Sequence, residues 1–315
     1  MPLEPAPFYG DISYGPQNGA AHWVKAADGT HIRIGHWPLA EAIGTVFIFP
    51  GRTEFVEKYG QTAAALADRG YASVAIDWRG QGLAERLLDN KLVGHVDRFL
   101  DYQLDVAAMI QTASELDMPR PFFLLAHSMG GAIGLRALVE GMDAQAVAFS
   151  GPMWGIKIAP HLRPLAWTLG HIMPRIGHGH RLPPGTQLEH HVLTDGFEDN
   201  LLTRDRVQFD IMHDQLVAYP ELALGGPSFV WLREALMETR RLASIRSPDL
   251  PCITFLGSNE RIVEVSEIHR RMTEWPGGDL QIVQNGEHEV LMERSEVSGP
   301  IFDQITELFR KTAAN

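Results

Sequence analysis

Short apolar runs alternate with segments of helical spacing along the first half of the chain. Thr45–Phe49, Tyr71–Ile76, Phe122–Ala126 and Ala144–Phe149 are continuous apolar stretches of strand length. Between them, Lys58–Arg69 and Phe99–Leu116 carry apolar residues at helical intervals, stopped at Gly70 and before Pro119. After Phe122–Ala126, the positions Ile133, Leu135, Ala137, Leu138 and Val139 predict a helix with one apolar side, closed by Gly141. Upstream, His22–Ala26 and His31–Trp37 read as a hairpin turning at Asp28-Gly29. Residues 1–20, rich in Pro, Gly and polar residues, are expected to lie as an extended arm on the surface. Strands followed by helices through short loops predict an α/β fold, with a mostly parallel central sheet flanked by helices.

From about Met153 to Gly226 this rhythm breaks. No strand run occurs; apolar segments punctuated by proline (Trp154–Ile158, Leu162–Ile176) lead to a Pro183-Pro184-Gly185 loop and then polar helical stretches such as Arg204–Leu216. The alternation returns with a helix at Phe229–Leu242, a strand at Cys252–Leu256, a helix at Val265–Glu274, a strand at Leu280–Val283 and a last helix at Ile301–Thr312. The expected organisation is a core formed by residues 1–152 and 227–315, interrupted by a helical cap at 153–226.

Composition narrows the setting. The 315 residues hold one cysteine, Cys252, which excludes an intrachain disulfide and fits a reducing, cytoplasmic compartment. The start MPLEPAPFYG has neither the basic end nor the apolar run of a signal peptide, and no stretch reaches the apolar length of a membrane span. A net charge of −12 argues against nucleic acid as a partner.

The chemistry is expected at the strand ends, where ligands of open parallel sheets bind. Ser128 stands in the turn Ala126-His127-Ser128-Met129-Gly130, between predicted strand and predicted helix. Such a turn is tight enough to require small residues two before and two after a serine whose hydroxyl it lifts clear of the sheet. A serine hydroxyl is a weak nucleophile and needs a base, oriented in turn by a carboxylate. His288, in the loop after the last predicted strand, is the candidate base. Glu260, in the loop after Cys252–Leu256, is the candidate acid; Glu264 competes from further along, and Asp249 falls at the wrong end of the sheet. The oxyanion formed by acyl transfer needs preorganised N–H donors, and the candidates are the backbone amides of Met129 and of Arg52, just after Pro50-Gly51.

With these pieces in place the chain resembles the α/β-hydrolase superfamily, and within it the lysophospholipase and monoacylglycerol lipase group of the serine aminopeptidase S33 type. The stretches that carry the likeness are PGRTEFVEKY (50–59), DWRGQGLA (77–84), AHSMGGAIGLR (126–136), GSNERIV (257–263) and NGEHEVLMER (285–294). The first looks like the lysophospholipase L2 branch, which has Pro-Gly-Arg where other members have His-Gly. The resemblance implies Ser128 as nucleophile, Glu260 as acid, His288 as base, and Arg52 and Met129 as oxyanion donors. Two departures stand out: Ala126 replaces the usual first glycine of the turn, and Glu260 stands where most relatives have Asp.

The apolar start of the cap suggests an acyl-chain lining, with Trp154, Ile158 and Trp167 as candidate substrate-binding residues. Its histidines (His171, His178, His180, His190 and His191) lack the spacing of a zinc site, so neither metal nor cofactor is expected. The expected function is a serine carboxylic-ester hydrolase working through an acyl-enzyme on monoacyl lipids, with transient contact to a membrane or micelle surface. The alternatives are a short-chain general carboxylesterase and a proline-iminopeptidase-like aminopeptidase, which would need an anionic pocket for the substrate amine.

Overall fold

The computed structural model describes residues 3–313. Nine strands form one sheet: β1 Glu4–Ala6, β2 Ala20–Lys25, β3 His31–Trp37, β4 Gly44–Phe49, β5 Tyr71–Asp77, β6 Phe122–His127, β7 Val147–Ser150, β8 Cys252–Gly257 and β9 Gly278–Val283. Their spatial order is β1-β2-β3-β5-β4-β6-β7-β8-β9. The edge from β1 to β5 is antiparallel, and β5 through β9 run parallel. The expected surface arm is corrected at this edge. Residues 4–6 pair with β2, and Ile12 is buried.

The inner strands are apolar throughout because both their faces are covered. On β4, Phe47 and Phe49 point into a core shared with Ile34, Val74, Leu124 and Ile133, while Val46 and Ile48 point into the opposite core with Phe123, Leu125, Phe255 and Phe309. Alternation along a strand delivers this two-sided burial. The first core is closed by helices that include α2 (Tyr102–Glu115) and α3 (Met129–Val139), and the second by α1 (Gly60–Ala67) and α8 (Ser295–Ala313).

Between β7 and β8 the described residues contain only helices and loops. The longer helices there are α4 (Arg163–Arg175), α5 (Arg206–Ala218) and α6 (Phe229–Ala243). Phe209, Met212 and Leu216 of α5 share a third apolar cluster with Ile12 and with Phe55, from the loop after β4. α7 (Val265–Glu274) completes the longer helices among the described residues. The chain passes from β4 to β5 on one side and then crosses back to β6 on the other, so the direction of winding reverses at β4. That switch point is where such sheets open a crevice, and Pro50–Thr53 and Ser128 sit at its rim.

Candidate active site

Ser128 takes φ 48° and ψ −117°, a conformation that L-residues rarely occupy. Its surroundings hold it there. The Ser128 N–H donates to Ser150 O at 3.0 Å, and Ser128 O accepts from Gly131 N (2.9 Å) and Met153 N (2.8 Å). The sharp turn requires Gly130, because a Cβ there would run into the carbonyl oxygen of Phe49. Ala126, near the end of β6, is fully buried in the core shared with Ala132 and Ile133 of α3, so the methyl that replaces the usual glycine is accommodated. Met129 opens α3, and its N–H has no partner inside the helix.

His288, from the loop after β9, and Glu260, from the loop after β8, meet. Glu260 Oε2 lies 2.6 Å from His288 Nδ1, and Glu260 Oε1 accepts from the amides of Ile262 (2.6 Å) and Val263 (3.1 Å). Burial would raise this carboxyl, but the hydrogen bond and charge of His288, with those two amides, outweigh it and hold it below the ordinary carboxylate value. Glu264 is occupied elsewhere, paired with Arg163 at 2.5 Å and with Ser266. The His288 ring rests against Gly151, whose φ is 48°. A Cβ there would approach Nδ1 to 3.0 Å.

Beneath the serine lies a charged cluster absent from the sequence reading. Lys58 Nζ sits 2.6 Å from both Glu54 Oε1 and Glu289 Oε1. Tyr59 donates its hydroxyl to Glu54 Oε2 at 2.6 Å, and the Gly51 N–H donates to the same oxygen. His127 Nε2 stands 3.3 Å from Glu289 Oε2, while its Nδ1 faces Ser150 O at 2.9 Å. Burial works against every charge here. For His127 and Lys58 it is overcome by the two carboxylates, which raise both groups; for Glu289 it is overcome by His127 and Lys58, which hold it well below its ordinary value. Glu54, His127 and Glu289 present ligand atoms within 4.8 Å of one another, a spacing that suits a metal. The Lys58 ammonium already takes the cationic place between the two carboxylates. The signal in the sequence was Glu54-x-x-x-Lys58 beside Glu289, visible only once the loops are known to meet.

A cavity of about 470 Å³ opens over Ser128 and His288. Ile156, Ile158, Leu162, Leu165, Leu169 and Met212 contribute to a mostly apolar wall; Arg52, Thr53, His190 and His191 contribute polar groups. Of the three lining candidates, Ile158 is in this wall. Trp154 is not: it is buried in the core, with its ring against Phe149 and Trp275 and its Nε1–H donating to Gly131 O at 3.2 Å. Trp167 also lies outside the lining, beside His171 and under the Arg240 guanidinium.

Residues 40–295 match the family described as serine aminopeptidase, S33. The chain belongs to that family. Lysophospholipase L2 of Escherichia coli (strain K12) is 31% identical to this S33 member over 280 residues, 84% of this chain and 80% of that one. Monoglyceride lipase of Rattus norvegicus is 24% identical over 307 residues, 92% of this chain and 90% of that one. Among solved structures, a soluble variant of monoglyceride lipase from Saccharomyces cerevisiae, in complex with a substrate analog, superposes with a TM-score of 0.72 at 19% identity, covering 92% of this chain and 94% of that one. This S33 family member has the α/β-hydrolase fold.

Proposed function

We propose that this enzyme hydrolyses carboxylic esters of monoacyl lipids through a serine-bound acyl intermediate. The observation that carries the reading is the buried, hydrogen-bonded Glu260–His288 pair, whose imidazole lines the same apolar cavity as the strained Ser128. His288 takes the proton as Ser128 Oγ attacks the ester carbonyl. The oxyanion is received by the N–H groups of Met129 and Arg52; among the described residues the Arg52 N–H has no acceptor of its own. Protonated His288 then passes its proton to the departing alcohol, and water repeats the sequence on the acyl-enzyme. Residues 153–226 serve as the cap over this site.

The relatives named lysophospholipase and monoglyceride lipase support a monoacyl substrate, as does the apolar wall. Leu162, Leu165 and Leu169 line the cavity from one side of α4 and its entry, yet Ile172 of the same helix and Ile176 just after it, both outside the lining, are 47% and 58% exposed. The same helix thus presents an apolar face outside the cavity, suited to brief contact with a micelle or membrane surface. No helix among the described residues is long and apolar enough to cross a membrane. The aminopeptidase alternative requires a free carboxylate for the substrate amine. The acids in the cavity wall are Glu54 and Glu289, and both are paired with Lys58.

The test is hydrolysis of p-nitrophenyl esters of increasing chain length, with Ser128→Ala as control. Each methylene buried in the cavity adds about 0.8 kcal/mol, roughly fourfold in kcat/KM. A steep rise toward long chains, abolished in the variant, is expected. Activity confined to acetate and butyrate would leave a general short-chain carboxylesterase instead.

A further inference from the structure

Arg52 is the cavity's unpaired charge. Its Nη1 donates to Gly225 O at 2.7 Å, and its guanidinium lies 5.7 Å from the centre of the Trp231 ring. Among the described residues no carboxylate lies within ion-pair distance of it. The core cations Arg33, Lys58 and Arg79 are each paired with an acid, and Arg86 and Arg271, which are not, donate to several backbone carbonyls where Arg52 has one. The guanidinium is buried deeply enough to be pushed down to about 10, yet the residue keeps part of its surface open and belongs to the cavity wall. A guanidinium has five N–H donors, and among the described residues only Nη1 has a protein acceptor. Beside it in the wall is His191, whose ring has no hydrogen-bond partner among the described residues. Burial, then the positive charges of Arg52 and Lys58, hold it at about 4, so it is a neutral N–H donor at ordinary pH.

An unpaired cation in a largely apolar cavity is costly, and it calls for an anion. The anion cannot be the ester itself, which is neutral. We propose that the Arg52 side chain, assisted by His191, binds the phosphodiester of a lysophospholipid head group, and so selects a phosphorylated glycerol ester over a neutral monoacylglycerol. The inference rests on the monoacyl-lipid reading above and specifies its substrate class. The connectivity suits it. The Arg52 backbone sits at the serine's side of the cavity, as the candidate oxyanion donor, and three methylenes carry its guanidinium away from there. In the lipid, three glycerol carbons carry the phosphate away from the ester. A fork of parallel donors matches phosphate oxygens in a way that a lysine ammonium does not.

The experiment compares palmitoyl-lysophosphatidylcholine with monopalmitoylglycerol in the same detergent micelles, for the wild type, Arg52→Met and Arg52→Lys. The ratio of the two kcat/KM values is the readout, because any disturbance of the Arg52 backbone N–H affects both substrates and cancels. In Arg52→Met the ratio is expected to fall about 10–100-fold in disfavour of the phospholipid, the usual effect of losing a charged hydrogen bond, and Arg52→Lys is expected to recover part of it. A parallel fall for both substrates, or an unchanged ratio, overturns the proposal. A second arm covers failure of the variants to fold. Glycerophosphocholine is expected to inhibit p-nitrophenyl ester hydrolysis by the wild type competitively, at concentrations where glycerol does not. No inhibition, or equal inhibition by inorganic phosphate, overturns the head-group assignment. If the wild type hydrolyses neither lipid but does cleave p-nitrophenyl esters, the monoacyl-lipid reading fails, and the inhibition arm still decides whether Arg52 holds a phosphodiester.

Discussion

The proposed Ser128, Glu260 and His288 come from three loops at the C-terminal ends of strands, where chain order alone had located them. That order works because the turn after β6 needs small neighbours for steric reasons, and because the loops after β8 and β9 end beside it. Ser128→Ala is expected to lower kcat on the order of 10⁶-fold, with loss of fluorophosphonate labelling. Retained labelling would place the nucleophile elsewhere. Glu260 is held by two amides as well as by His288, so its carboxylate is fixed before the imidazole charges. Glu260→Gln is expected to lower kcat on the order of 10⁴-fold, less than loss of the serine, with KM little changed. A rise in KM with kcat intact would mean that Glu260 shapes substrate binding instead. Trp154 and Trp167 were not legible in the same way. An apolar residue in a Pro-punctuated segment reads alike whether it faces the core or a cavity, and only packing against Phe149 and Trp275 separates the two for Trp154.

Among the elements, the inner strands were the clearest, since burial on both faces writes an uninterrupted apolar run. The antiparallel edge was less so. β1 is three residues long and includes Pro5, a residue that strand patterns exclude except at an edge. The arm it belongs to is tied down by Tyr9 stacking on Tyr219 at 3.7 Å and by Gln215 donating to Ile12 O at 2.8 Å, contacts with partners some two hundred residues away. α4 was foreseen as an apolar helix, and its two-sided role emerges from its exposure. Leu165→Asp places a charge at the cavity mouth. It is expected to reduce kcat/KM for a long-chain ester at least about tenfold while leaving the acetate ester within a few-fold. Equal losses on both esters would show that α4 supports the fold rather than the acyl chain.

At the scale of the whole molecule, the cluster of Glu54, Lys58, His127 and Glu289 joins the loops that carry the site. Lys58→Met leaves two buried carboxylates without their shared cation and is expected to cost about 3–5 kcal/mol in urea denaturation; a loss below about 1 kcal/mol would show that water reaches the cluster. Stability should also depend on pH in a defined way. Glu260 and Glu289 are held below their ordinary value, so their contribution is in place above it and is lost as pH falls through the folded values. His127 is raised, so its contribution is complete below the ordinary imidazole value of 6.5 and is lost as pH rises through the folded one. Thermal melts across this range are expected to show a plateau that slopes away on both sides, with a shallower acid side in Glu289→Gln. An unchanged profile in that variant would remove Glu289 from the account.

The members of that cluster are far apart in the chain: Lys58 and Glu289 are 231 residues apart. Closing a loop of that length is paid for before the contact returns anything. The cluster should therefore form after the sheet has assembled, and substitutions in it should speed unfolding while leaving the refolding rate nearly unchanged. Stopped-flow measurements on Lys58→Met would show whether the charged cluster under the site is the last part of this protein to arrive and the first to come apart.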